Sequence, residues 1–239
     1  MVISEKFLVG FKQTNEKFEM TNSAMLSFFV EVAGLHSAKC GERIETSPNR
    51  WLLLGYKMRI LKRPKLQTYI NVLTWSSEVK GITALREFEI RDESGELMVS
   101  CLSNWVNLNI STRKMERLTD EKMKVYESEP ERTNFENKSF EKMPIPESFD
   151  EKKEFVADWK LMDINQHMNN ANYLEVAQEF ASKDFKTMVE NFDFDINYKK
   201  EILCGQVVLC CYKKTEEGCF VFFVNKETGE LHSTIRFFK

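Results

Sequence analysis

No stretch of this chain is apolar for long enough to span a membrane. The N-terminal Met-Val-Ile-Ser-Glu-Lys-Phe has neither a basic region followed by an apolar core nor the Arg- and Ser-rich character of a transit peptide. A cytoplasmic location without a membrane span is the expectation. Basic charge is not in excess either: 34 Lys and Arg stand against 37 Asp and Glu, for a formal net charge of -3, and no Lys/Arg run is long enough for a polybasic arm. That balance argues against nucleic acid as a ligand. Cysteine pairing motifs are missing too. The six cysteines, Cys40, Cys101, Cys204, Cys210, Cys211 and Cys219, include no C-x-x-C pair, and adjacent Cys210 and Cys211 in a strand would face opposite ways. Reduced thiols are expected.

What is present is an ordered alternation of elements. The stretch 5–12 reads as a strand. Over 22–39, Met25, Phe28, Phe29, Val32 and Leu35 recur at helical spacing, with Gly41 near the end. A polar loop through Pro48 follows, then strand-like runs at 51–61, 68–79, 82–91 and 97–110, separated by Arg-Pro, Lys-Gly and Glu-Ser-Gly. One strand, one helix and four strands predict an α+β unit, an antiparallel sheet with a long helix against it.

Between 119 and 153 the composition turns to Glu, Lys, Ser, Asn and Pro, with Pro130, Pro144 and Pro146 marking a linker or extended crossing segment. The same order then returns: a strand at 153–160, a helix over 170–186, and strands near 192–202, 204–214, 218–225 and 231–238. Without gaps, Phe155 falls on Phe7, Val156 on Leu8, Asn170 on Asn22, Tyr173 on Met25, Val176 on Phe28 and Ala177 on Phe29. The chain therefore reads as two homologous units, 1–118 and 153–239, joined by a linker over 119–152.

The chemistry concentrates just before the second helix, in Asp163-Ile-Asn165-Gln-His167-Met-Asn169-Asn170-Ala-Asn172-Tyr173. Here a carboxylate, an amide and an imidazole crowd ahead of a helix whose apolar stripe is Tyr173, Val176, Ala177 and Phe180. Asn169 and Asn170 offer side-chain acceptors for the helix's first N–H groups. A remaining N–H and the positive dipole end suit an oxyanion formed by attack of water on a carbonyl. The ungapped register sets Asn15 opposite Asp163, Lys17 opposite Asn165 and Glu19 opposite His167, so the first unit lacks the cluster. That asymmetry favours chemistry over a requirement of the fold.

Two strand-helix-strands units with D-x-N-x-H-x-N-N-x-x-Y opening the second helix resemble the acyl-(acyl carrier protein) thioesterases of plants and bacteria. The first-unit stretches Trp51-Leu-Leu-Leu-Gly-Tyr-Lys-Met-Arg-Ile-Leu-Lys-Arg-Pro-Lys, Thr74-Trp75, Arg86-Glu-Phe-Glu-Ile-Arg-Asp and Ser103-Asn-Trp-Val-Asn-Leu carry the resemblance as well. It implies a tandem, double hotdog fold. It also implies hydrolysis of fatty acyl thioesters held on the phosphopantetheine arm of acyl carrier protein, with no metal or bound cofactor.

One departure concerns the nucleophile. The family usually carries Glu-Cys where Tyr198-Lys199-Lys200-Glu201 is here followed by Ile202. Cys204, two residues on, would sit about 7 Å further along a strand. The resemblance then implies a water route: Glu201 or His167 as base, Asn165 orienting, Asp163 fixing the geometry, and the helix start at Asn169 and Asn170 receiving the carbonyl oxygen. Met25, Phe28, Phe29 and Trp51 are candidates for the acyl channel. Arg50, Lys62, Arg63 and Lys65 are candidates for meeting the acidic carrier. His36 and His232 read as structural or exposed. An acyl-CoA thioesterase, a non-catalytic acyl-thioester binding module and a hotdog hydratase are the competing readings. A fused pair is compatible with a monomer or a homodimer.

Overall fold

The helix expected over 22–39 starts where its capping chemistry dictates. In the computed structural model, which describes residues 1–239 apart from the side chain of Lys122, Thr21 is extended and its hydroxyl accepts from the Ala24 N–H at 3.2 Å. This satisfies one of the donors that a helix start leaves open. The helix α1 (Asn22–Lys39) ends at Cys40, and Gly41 follows at φ +83°, the left-handed conformation that glycine adopts at least cost. Its buried face runs through Met25, Leu26, Phe29, Val32, Ala33 and His36. The expected stripe is thus rotated: Leu35 is 42% exposed and His36 is fully buried. The reason lies on the sheet, where buried Arg86 lies 2.9 Å from His36 Nδ1.

The chain divides into two compact units, Met1–Phe140 and Glu141–Lys239. In the first, β1 (Ile3–Leu8), β2 (Asn49–Ile60), β3 (Tyr69–Lys80), β4 (Thr83–Asp92) and β5 (Leu97–Asn109) pair antiparallel in the order β1-β3-β4-β5-β2, with the short β6 (Lys114–Met115) on β5. β1 stops short of the expected 5–12. Gln13 reaches back to accept from the Gly10 N–H at 3.1 Å, and Phe11–Gln13 coil into a 3-10 turn. Phe29 stacks on Phe88 at 4.7 Å and Phe7 on Phe28 at 4.5 Å, fastening α1 to the sheet.

Beyond α2 (Asp120–Lys124), the stretch around Pro130 is tied down on the sheet of the first unit. Glu129 N–H donates to Ser76 O at 2.8 Å, Asn134 N–H to Glu87 Oε2 at 2.7 Å, and Arg132 to Glu89 at 2.9 Å while lying 4.2 Å over the Trp75 ring.

The second unit repeats the plan. β7 (Glu151–Val156), β8 (Asp193–Tyr198), β9 (Val207–Lys214), β10 (Gly218–Asn225) and β11 (Leu231–Phe238) pair antiparallel in the order β8-β11-β10-β9-β7. The single helix expected over 170–186 is instead two, α3 (Asn172–Phe180) and α4 (Lys183–Asn191). Ala181 and Ser182 are extended between them. Serine competes for backbone hydrogen bonds inside a helix and suits its start, and Asp184 complements the positive end of the new helix. Tyr173, Leu174, Val176 and Ala177 of α3 are buried, as are Phe185 and Val189 of α4. The Tyr212 hydroxyl donates to Ala177 O. All six cysteines are free thiols. Cys210 contacts Tyr212 on the α3 side of β9, and Cys211 packs with Phe222 and Leu231 on the other. No described helix is long and apolar enough to cross a membrane.

Candidate active site

The motif residues sit in a turn that their own side chains build. Asp158 accepts from the Lys160 N–H at 2.9 Å and starts a 3-10 turn, Trp159–Leu161. Asp163 Oδ1 then accepts from the Asn165 N–H at 2.8 Å and the His167 N–H at 3.4 Å, while Asp163 N–H donates to His167 O at 2.8 Å. Gln166 passes through φ 65° to close the loop. Asp163 is therefore the residue that shapes the turn, and its Oδ2 also accepts from the Asn165 side chain at 3.4 Å. Asn165 is exposed and His167 half-buried.

This turn is fastened to the segment after β8. His167 and Leu203 form an isolated bridge, and Met168 N–H donates to Ile202 O at 2.9 Å. These two ties bring Glu201 beside the Asn165–His167 turn. β8 ends at Tyr198, so Glu201 lies in an irregular connection rather than in the strand expected at 192–202. Cys204 is also outside a strand, exposed and followed by Gly205 at φ +85°. The strand spacing applied to it from the sequence therefore does not describe it. Among the described residues, no hydrogen bond joins the Glu201 carboxylate or the His167 ring to another side chain.

His232, read as structural or exposed, is buried beneath this connection. Its carbonyl accepts from the Lys199 and Lys200 N–H groups at 2.8 and 3.1 Å, and its Nδ1 lies 3.4 Å from Lys200 O. Burial holds its pKa below the usual histidine value, which keeps the ring neutral.

The helix start departs from expectation in one respect. Asn169 Oδ1 accepts from the Ala171 N–H at 2.9 Å and Asn169 O from the Asn172 N–H at 2.9 Å, so Asn169 caps a turn that leads into α3. Asn170 contributes its carbonyl, which accepts from the Tyr198 hydroxyl at 2.8 Å. From Met168 to Leu174, the N–H groups of Asn170 and Tyr173 are the two with no acceptor among the described residues. Two open donors at a helix N-terminus form a place for negative charge on an oxygen. The sequence points to this end of the helix, but which donors stay open depends on the residue at which α3 begins.

The other expected residues lie in the first unit. Met25 and Phe29 are fully buried, Phe28 covers Phe7, and the Trp51 indole N–H donates to Glu42 at 2.7 Å and lies 3.1 Å from the Tyr126 hydroxyl. A cavity of about 380 Å³ opens beside the first unit's own turn, lined by Glu19, Lys62, Arg63, Lys65, Thr68, Tyr69, Asp92 and Met98. Its cations are engaged: Lys62 with Glu96, Lys65 with Glu19, and Arg63 with Met20 O and the Asn22 side chain. Arg50 donates to Ser47 O and Asn49 O.

Family models place this chain. The acyl-ACP thioesterase N-terminal domain matches residues 1–126 and the acyl-ACP thioesterase C-terminal domain residues 146–237. The chain belongs to the acyl-ACP thioesterase family. Among curated acyl-ACP thioesterases it is 25% identical over 186 residues to the chloroplastic acyl-[acyl-carrier-protein] hydrolase FATB2 of Cuphea viscosissima, covering 74% of this chain and 44% of that one. It is 24% identical over 225 residues to the chloroplastic oleoyl-acyl carrier protein thioesterase of Coriandrum sativum, covering 85% and 60%. The chain thus spans about half the length of the curated relatives it matches. Solved structures agree in fold. An acyl-ACP thioesterase from Bacteroides thetaiotaomicron superposes with TM-score 0.85 at 19% identity, covering 99% of this chain and 97% of that one. The 12:0-ACP thioesterase from Umbellularia californica gives 0.82 at 18%, covering 99% and 96%. The fold is the tandem hotdog of the acyl-ACP thioesterases.

Proposed function

We propose that this chain hydrolyses fatty acyl thioesters carried on the phosphopantetheine arm of acyl carrier protein, releasing the free fatty acid. The observation that supports the reading is the double main-chain tie, His167 with Leu203 and Met168 with Ile202, which sets the backbone of Glu201 next to the turn that carries Asn165 and His167, ahead of a helix start with two open N–H donors. In this reading the second unit holds the chemistry. The first supplies the acyl channel through Met25, Phe28, Phe29 and Trp51. Family membership supports the carrier-bound substrate.

A water molecule held by Asn165 and by Glu201 or His167 loses its proton to one of those two as it attacks the thioester carbonyl. The developing oxyanion is received by the N–H groups of Asn170 and Tyr173; one such donor is worth about a hundredfold or more in rate. Collapse expels the thiolate of the carrier's arm. Because a thiolate leaves readily, positioned water suffices and no covalent acyl-enzyme is formed. The reaction so drawn uses no metal or cofactor. Asp163 acts by holding the turn.

The test is hydrolysis of a panel of acyl-carrier-protein and acyl-CoA thioesters by the wild type and by Glu201→Ala, His167→Ala, Asn165→Ala and Cys204→Ala. Carrier-bound substrates should be cleaved, with Glu201→Ala and His167→Ala slower by about a hundredfold or more and Cys204→Ala unchanged. Inactivity of Cys204→Ala alone would restore a thiol nucleophile. A faster rate on acyl-CoA would change the substrate, and binding without cleavage would make this an acyl-thioester binding module.

A further inference from the structure

Tyr198 is the last residue of β8, where it pairs with Ser233, and its hydroxyl donates to Asn170 O at 2.8 Å. Its ring stands edge-on to that of Tyr173, 5.2 Å between centroids, and Phe223 packs on the Tyr173 ring at 5.1 Å. The bond thus runs from the end of a paired strand to the backbone just ahead of α3. In an α-helix a carbonyl accepts from the N–H four residues on, which for Asn170 is that of Leu174. Here the Leu174 N–H goes instead to Ala171 O at 3.1 Å, and the Asn172 N–H to Asn169 O at 2.9 Å. Both bonds span three residues, the tighter 3-10 winding. The Tyr173 N–H, which α-helical winding would hand to Asn169 O, has no acceptor among the described residues.

The first unit shows the other outcome. The ungapped register sets Thr21 on Asn169, Asn22 on Asn170 and Met25 on Tyr173. Met25 N–H donates to Thr21 O at 3.1 Å, four residues back, and α1 is helical from Asn22. With α3 starting at Asn172, the second helix begins two residues late. The facing carbonyls of Pro64 and Ile202, which take the Met20 and Met168 N–H groups at 2.9 Å, align the two facing segments. Four residues before each, at the last position of β2 and of β8, stand Ile60 and Tyr198. Ile60 has no hydroxyl to give. The unit with the hydroxyl has the late start and the open N–H, and the unit without it has neither.

We propose that Tyr198 is a positioning residue for the oxyanion site: by holding Asn170 O away from the Leu174 N–H, its hydroxyl keeps the first turn of α3 from closing as an α-helix and so leaves the Tyr173 N–H open for the thioester oxygen. The proposal rests on the reading of this helix start as the place that receives the oxyanion. Tyr198 acts through the backbone and touches no reacting atom. Tyr198→Phe keeps the ring and its packing on Tyr173 and removes only the hydroxyl.

The experiment pairs amide exchange with steady-state hydrolysis. Without the hydroxyl, the Leu174 N–H returns to Asn170 O and the Tyr173 N–H to Asn169 O. Exchange at the Tyr173 amide, followed by NMR, should therefore slow about tenfold in Tyr198→Phe, whereas a hydrogen bond that only braced the structure would speed it when lost. On an acyl-carrier-protein substrate kcat should fall about tenfold or more, toward the roughly hundredfold worth of one oxyanion donor, with KM within about twofold. Unchanged or faster exchange at Tyr173 overturns the role of the hydroxyl whatever the kinetics show. Slower exchange with kcat within about twofold of the wild type overturns the link to the reaction, and with it the reading of the Tyr173 N–H as an oxyanion donor. If the wild type cleaves no acyl-carrier-protein or acyl-CoA thioester, the hydrolytic reading fails and the positioning role with it, while exchange at Tyr173 still decides whether Tyr198 sets the start of α3.

Discussion

At Asn15 and again at Asp163, a side-chain oxygen gathers the N–H groups two and four residues on, at 3.0 and 3.1 Å in the first unit and at 2.8 and 3.4 Å in the second. Each turn closes with a main-chain bond of 2.8 Å back to the first residue, each passes through a left-handed residue, Phe18 or Gln166, and each hands its next N–H to a facing carbonyl, Pro64 or Ile202, at 2.9 Å. A turn built twice by the same bonds belongs to the fold. What differs is what the turn carries: Lys17 and Glu19 in one unit, Asn165 and His167 in the other, facing Arg63 or Glu201. The helix starts differ as well. Met25 N–H is spent on Thr21 O at 3.1 Å, whereas Tyr173 N–H is open. The asymmetry that speaks for chemistry is therefore narrower than the motif, and Asp163 stands outside it.

The largest effect expected from this comparison comes from exchanging the fourth residue after the turn's first. His167→Glu should lose about a hundredfold or more of kcat, while Glu19→His, the reverse change at the matching place, should leave kcat within about twofold. Steady-state hydrolysis of one acyl-carrier-protein substrate measures both. Equal losses would mean that the first unit's turn takes part in the reaction, and the comparison would break.

A smaller effect separates Asp163 from its neighbours. Asp163→Ala and Asn15→Ala each leave two N–H groups without their acceptor and should lower stability by about 1 kcal/mol or somewhat more, read from thermal or urea midpoints. Asp163→Asn should keep the turn, since Asn15 already does that work, and should lose less than about tenfold in kcat. If Asp163→Asn is as slow as His167→Glu, the carboxylate has a chemical task and the two turns are less alike than their bonds.

Much of this was legible in the sequence because the repeat is ungapped from the first strand into the helix: Phe155 on Phe7 and Tyr173 on Met25 fix the register by counting. Beyond the helix, counting fails. α1 is one unbroken helix, while Ser182 splits its counterpart into α3 and α4, so loop lengths diverge. The pairing of Arg63 with Glu201 emerges only from the carbonyls of Pro64 and Ile202. The burial of His36 was hidden for a related reason, since it depends on Arg86, a buried partner on another element. The open N–H of Tyr173 depends on which residue begins α3, and element ends are where pattern carries least information.

The smallest effect tests whether the connection after the tie is also shared. Gln67 at φ 60° and Gly205 at φ 85° occupy the same place, each donating its N–H at 2.8 Å, to Val9 O and Ala157 O respectively. A Cβ built on Gly205 meets nothing within 4 Å, so Gly205→Ala should cost only the left-handed conformation of a residue with a Cβ, about 1 kcal/mol. Gln67→Gly should relieve the same strain in the first unit and gain a few tenths of a kcal/mol, the rest being lost to the freer unfolded chain. Denaturation midpoints of the two variants should move in opposite directions. Should both fall, the Gln67 side chain is doing something for the first unit that Gly205 does not do for the second, and the likeness ends at the tie rather than beyond it.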